Sequence, residues 1–157
     1  MRKFTYSLLV GVVSLGLAGG LARGQSRAAE KDELESRAHT VNALADQRGG
    51  MREAIHDVSV ETGVPLEKLQ KMRDEHPDAG AAGIMIACVI ADNAKGSPEG
   101  YLSRHINGKG WGAIARDSNV PLEKINDRLA LLERDLRKNA SGQLPATGRE
   151  RNRNRNY

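Results

Sequence analysis

VSVETGVPLEKL (58–69) and IARDSNVPLEKI (114–125) carry the same five residues, VPLEK, at an offset of 56 positions, and the matching continues on both sides. Val58 answers to Ile114, Ser59 to Ala115, Glu61 to Asp117, Thr62 to Ser118, Gly63 to Asn119 and Leu69 to Ile125. The shared residues have turn and helix-start chemistry, not reaction chemistry. Pro65 and Pro121 suit a first helical turn, where the missing N–H would be unpaired in any case. Gly63 and Asn119 belong to the residue types that tolerate a left-handed backbone. The pair therefore reads as a duplicated structural unit of helix, short turn and helix, and not as a copied active site.

Beyond the repeat, helix signals recur and strand signals do not. Aromatic residues make up 3% of the chain, and β-branched residues never alternate over a useful run. Leu34, Val41 and Leu44 predict a first helix over about 34–47, ended by Gly49 and Gly50. Met51, Ile55 and Val58 predict a second over 51–62, stopped by Gly63. A third is expected from Pro65 to Glu75, with Glu67 and Lys71 four apart for pairing. Pro77 then breaks the chain, and Asp78 is expected to cap the next helix. AGAAGIMIACVIADNA (79–94) is the most apolar segment and predicts a fourth helix, to about 95, touched from several sides. Ser97 and Pro98 open a fifth over 98–106. The sixth is expected at 111–118, and the seventh over 121–138 with Leu122, Ile125, Leu129, Leu132 and Leu136 in helical register. The fold class is all-α: two helix-turn-helix-like three-helix units around a central apolar helix, followed by a disordered basic tail.

Both repeat segments resemble the core of helix-turn-helix motifs: a small residue, Ser59 or Ala115, where two helices cross, then the turn, then Val and a later apolar position. SPEGYLSRHINGKGWGAIARDSNV (97–120) is also similar to a segment of uncharacterised exported small helical bacterial proteins, with its GKGWG-A-IA signature. That likeness covers roughly 79–125. It implies a helical fold and export, and it brings no activity with it.

The two ends differ from the body. Arg2 and Lys3 precede an uncharged stretch, Phe4 to Ala22, with its apolar heart at Leu8–Leu17, the pattern of a secretory signal peptide over 1–24. Small residues favour cleavage after position 22 or 24, an uncleaved anchor is the alternative, and no cysteine near the cleavage region offers a lipid anchor. A polar lead-in is read at 25–34, and a helical domain at 35–140 with the repeats at about 51–75 and 107–131. Without the signal, which carries three cations and no acid, the formal charge of +4 falls to +1. The stretch 141–157 reads as a disordered basic tail, with four arginines and one glutamate from Leu144 onward. The expected location is periplasmic or secreted.

The near-neutral body argues against a nucleic-acid-binding face. A nucleic-acid-binding protein using the duplicated motifs is the alternative function, but Glu67 and Glu123 near the two helix starts would face phosphate. Cys88 sits among aliphatic residues, far from the positive charge that a reactive thiol needs. His39, His56, His76 and His105 have no ligand spacing, so neither metal nor cofactor is expected. The chain reads as non-catalytic, an interaction or scaffolding protein of the bacterial envelope. Envelope proteins or polyanionic polymers are the expected partners, DNA is not, and a membrane enters only through an uncleaved signal. The candidate binding surface is Tyr101, Arg104, Lys109, Gly110 and Trp111. Backbone donors beside Lys109 suit an anion, and the Trp111 ring suits a sugar or peptide face. The competing reading buries Trp111 as the aromatic anchor of the C-terminal core.

Overall fold

The computed structural model describes residues 18–47 and 49–141. Among them the chain is all-helical: α1 (Ala18–Ala45), α2 (Gly50–Thr62), α3 (Leu66–Glu75), α4 (Gly80–Asn93), α5 (Pro98–Ile106), α6 (Trp111–Asp117) and α7 (Leu122–Ala140), with a 3-10 turn at Pro77–Ala79 and no strand. The tail from 142 and the signal segment before Ala18 lie outside the described residues. Residues 18–34, read from sequence as the end of the signal and a polar lead-in, are helical and continuous with α1, which therefore starts well before the expected position 34. The segment has no apolar stripe to announce a helix. It is nevertheless charge-paired at helical spacing, Glu33 to Arg37 at 2.8 Å and Lys31 to Glu35 at 3.8 Å.

α4 is buried without interruption from Ala81 to Ile90 and packs against α1, α2, α3, α5 and α7. Its small residues allow that many neighbours to approach. A Cβ at Gly83 would stand 3.7 Å from the Trp111 ring and 4.0 Å from Leu102. Burial of each large aliphatic side chain here, Ile84, Ile86 and Ile90 among them, contributes about 1.5–3 kcal/mol. Asp78 does not cap this helix. The Asn42 side chain on α1 does, its Oδ1 accepting the Ala82 N–H at 2.9 Å from forty positions away.

α1 and α7 lie along one another. Lys31 borders the same cleft as Leu122, Arg37 reaches Glu133 at 3.1 Å, and Leu44 flanks the same depression as Leu136 and Ala140. Both helices therefore run in the same direction. This pairing joins the two halves of the chain in one continuous core.

Within that core the repeats keep the same local geometry. Gly63 and Asn119 both take the left-handed backbone, at φ 68° and 56°. Pro65 and Pro121 both stand just before a helix in extended conformation. Val58 and Ile114 are buried, as are Leu69 and Ile125. The expected Glu67–Lys71 pair is replaced by Lys71–Glu75 at 3.7 Å and by a tie from Lys68 to Glu99 at 2.9 Å.

Candidate functional site

The five residues singled out from sequence separate into two classes. Tyr101 and Trp111 are core residues, with 4% and 8% exposure. The Tyr101 hydroxyl donates to the Lys95 carbonyl at 2.7 Å and so braces the turn before α5. The Trp111 ring rests against α4 near Gly83, and its other neighbour is His105, stacked with centroids 4.2 Å apart and planes 17° from parallel. His105 is held in turn through Nδ1, 3.1 Å from the Lys109 carbonyl. Neither aromatic ring offers a free face to a sugar or peptide. Arg104, Lys109 and Gly110 remain exposed. Arg104 lies over the Tyr101 ring at 5.3 Å, and Lys109 is paired with Asp117. The Lys109 contact holds the Asp117 carboxyl below the usual carboxylate range.

The concave feature of this region lies on the far side of Gly110. A cleft of about 580 Å³ opens between α1 and the α6–α7 turn. Gly110, Gly112, Val120 and Leu122 line it, and Lys31 and Arg116 are its charged residues. Among the described residues no acid lines it. Lys31 and Arg116 side chains are 57% and 74% exposed, and their nearest acids are distant, Glu35 at 3.8 Å and Asp117 at 4.0 Å. The glycines have no structural obligation there. Gly110 has φ −61° and ψ 145°, a backbone that any residue adopts, and a Cβ on it would meet nothing within 4 Å. A Cβ on Gly112 would make only ordinary contact with the Lys31 stem, at 3.6 Å. What these two positions accomplish is open space.

The backbone donors of the turn are already spent. Ser118, Asn119 and Val120 donate to Ile114, Arg116 and Ala115 at 3.0, 3.0 and 2.9 Å, and Pro121 has none to give. A ligand in this cleft meets the side chains and the N–H groups at the starts of α6 and α7 instead.

No protein-family model, curated protein or solved structure matches the chain. The site's meaning rests on its own chemistry.

A second cationic surface, at the end of α7, is internally neutralised. Arg37 bonds Glu133 and Glu33, Arg137 bonds Glu133 at 2.8 Å, and Arg134 and Lys138 both reach Asp135 at 3.2 Å. Burial pushes the Cys88 thiol up to about 12, so it stays protonated at neutral pH. Among the described residues no group of three or more His, Cys, Asp or Glu could hold a metal ion, and no helix is long and apolar enough to cross a membrane.

Sequence reasoning reached Gly110 but missed Lys31, Gly112, Arg116, Val120 and Leu122. One signal was there to be read. Carried two residues further back, the repeat alignment sets Gly112 against His56 and Ala113 against Asp57, so the second copy has lost bulk where the first has kept it.

Proposed function

We propose that the chain is an exported, non-catalytic binding protein of the bacterial envelope, working through the cleft between α1 and the α6–α7 turn. The observation that carries this reading is the cleft itself, a concavity within the roughly 300–1,000 Å³ range of ligand sites, bordered by two weakly engaged cations. The amino-terminal pattern of two cations and an uncharged apolar stretch supports export.

The test combines location with contact. A photo-crosslinking amino acid placed at Ala113, on the cleft wall, is activated in cells of the native host, and the fractions are analysed by mass spectrometry. A chain beginning near Arg23 or Gln25 in the periplasmic or secreted fraction, with a discrete adduct that Gly110→Leu abolishes, is the expected result. An intact Met1 in the cytoplasm overturns the localisation. Adducts indifferent to Gly110→Leu overturn the cleft as the working surface.

A further inference from the structure

We infer that the cleft takes a medium-chain carboxylate, its chain lying against Gly112, Val120 and Leu122 and its head group between Lys31 and Arg116. The inference rests on the binding role proposed for this cleft and names its ligand class.

Four observations lead there. First, among the described residues the lining charges are one-sided, two cations and no acid, in a concavity of about 580 Å³ that attracts an anion. The arginine and its described neighbours leave the guanidinium largely uncommitted: Asp117, its nearest acid, is held by Lys109. Second, the floor beneath those cations is apolar. Val120 is buried and Leu122 partly so, and Pro121 between them contributes no donor. A bare phosphate would leave that floor unused, whereas an alkyl chain covers it.

Third, the turn between α6 and α7 offers an extended peptide no backbone donor. Strand-like docking draws its affinity from main-chain hydrogen bonds, and the donors of 118–120 are already satisfied within the turn. The chain's own basic tail has the wrong charge for two cations. Fourth, the molecule contains its own control. In the first repeat His56 stands for Gly112 and Leu66 for Leu122, and these two border a depression of about 250 Å³ that also takes in the opposite charges of Arg52 and Glu53. The same framework thus borders a small depression of mixed charge in one copy and a larger cleft with two cations and no acid among the described residues in the other. Neither the left-handed turn nor the packing of α6 requires that difference, because Gly110 and Gly112 would both accept a Cβ.

The test titrates the full chain with octanoate, with octylammonium as the same chain of opposite charge, and with acetate as the same charge without the chain. Trp111 fluorescence and backbone amide shifts are the readouts. Octanoate should bind saturably, with shifts confined to 110–122 and to α1 around Lys31. Octylammonium and acetate should bind at least about tenfold more weakly, since each forfeits one of the two contacts. Gly110→Leu, which adds bulk to the lining, and Arg116→Glu, which reverses the head-group site, should each weaken octanoate at least about tenfold, with both variants still folded by circular dichroism. Equal binding of octanoate and octylammonium would reduce the effect to apolar adsorption and overturn the inference. Shifts centred on the cations at the end of α7, or a Gly110→Leu variant of unchanged affinity, would overturn it too. Failure of octanoate with the Ala113 cross-link intact removes the ligand class and leaves the cleft's binding role standing. Octanoate binding without that cross-link removes the envelope partner and leaves the ligand class.

Discussion

The α2–α3 turn and the α6–α7 turn share a backbone and part company in what surrounds it. Both have a left-handed residue, an extended proline and a buried aliphatic anchor at the same spacing. Around the first copy, Ile55, His56 and Asp57 fill the preceding turn of helix; around the second, Trp111, Gly112 and Ala113 replace them. Ile55 and Trp111 are both core residues, and the two positions after them are bulky in the first copy and small in the second, where the cleft lies. Duplicated scaffolds diverge most cheaply in this way, because the turn chemistry that specifies the fold is untouched.

The likeness of the two copies is most sensitive at its anchors. Trp111→Ala should cost about 3–5 kcal/mol in urea denaturation, and Ile55→Ala, at the equivalent place, about 2–5 kcal/mol. A Trp111→Ala variant of native stability would show that the ring is not part of the core. At the turns, Gly63→Ala should cost about 1–2 kcal/mol because it forces a Cβ into left-handed geometry, whereas Asn119→Gly should change stability by less than about 0.5 kcal/mol. Equal effects at the two turns would mean that the copies do not share this conformation in solution.

A smaller effect concerns Asp57, whose counterpart is Ala113. Burial raises its carboxyl pKa above the ordinary aspartate value, against the lowering influence of His56, and Asp135 and Glu53 raise it further. A group with a raised folded pKa stabilises most below its unfolded pKa, near 3.8, and that contribution is lost as pH rises through the folded value. Asp57→Asn should therefore raise the thermal midpoint at pH 7, by the equivalent of about 0.5–1 kcal/mol, and the gain should vanish near pH 3. A gain that persists at pH 3 would assign the effect to something other than ionisation. The most direct transplant is Gly112→His with Ala113→Asp, which copies the first unit into the second. It should leave stability within about 1 kcal/mol, because a Cβ at Gly112 meets only ordinary contacts, and octanoate titration should find the cleft closed.

Much of this architecture is legible locally. Pro98 behind Ser97 sets the start of α5, where the Ser97 hydroxyl accepts the Gly100 N–H at 3.2 Å. Gly63 ends α2 where expected, and the apolar run of 79–94 yields the buried α4. Residues that act through distant partners are not legible. Asn42 caps a helix forty positions away, and Lys31 shares a cleft with Arg116 only because α1 lies alongside α7. The start of α1 was hidden for a different reason: three of its first seven residues are glycines, which disfavour a helix, and no apolar face announces one. The sequence offered Trp111 equally as platform and as anchor, and the choice depended on Gly83 and His105, one on another helix and the other across a turn.

The shared direction of α1 and α7 also sets where the chain enters and leaves. α1 spans 28 residues, a length of about 42 Å, and α7 starts beside Lys31 and finishes beside Leu44. The polypeptide thus arrives at one pole of the molecule and departs from the other. An attachment near Gln25, where the processed chain is expected to begin, and a second at Ser141 would be held at opposite ends of a helical strut of about 30 Å.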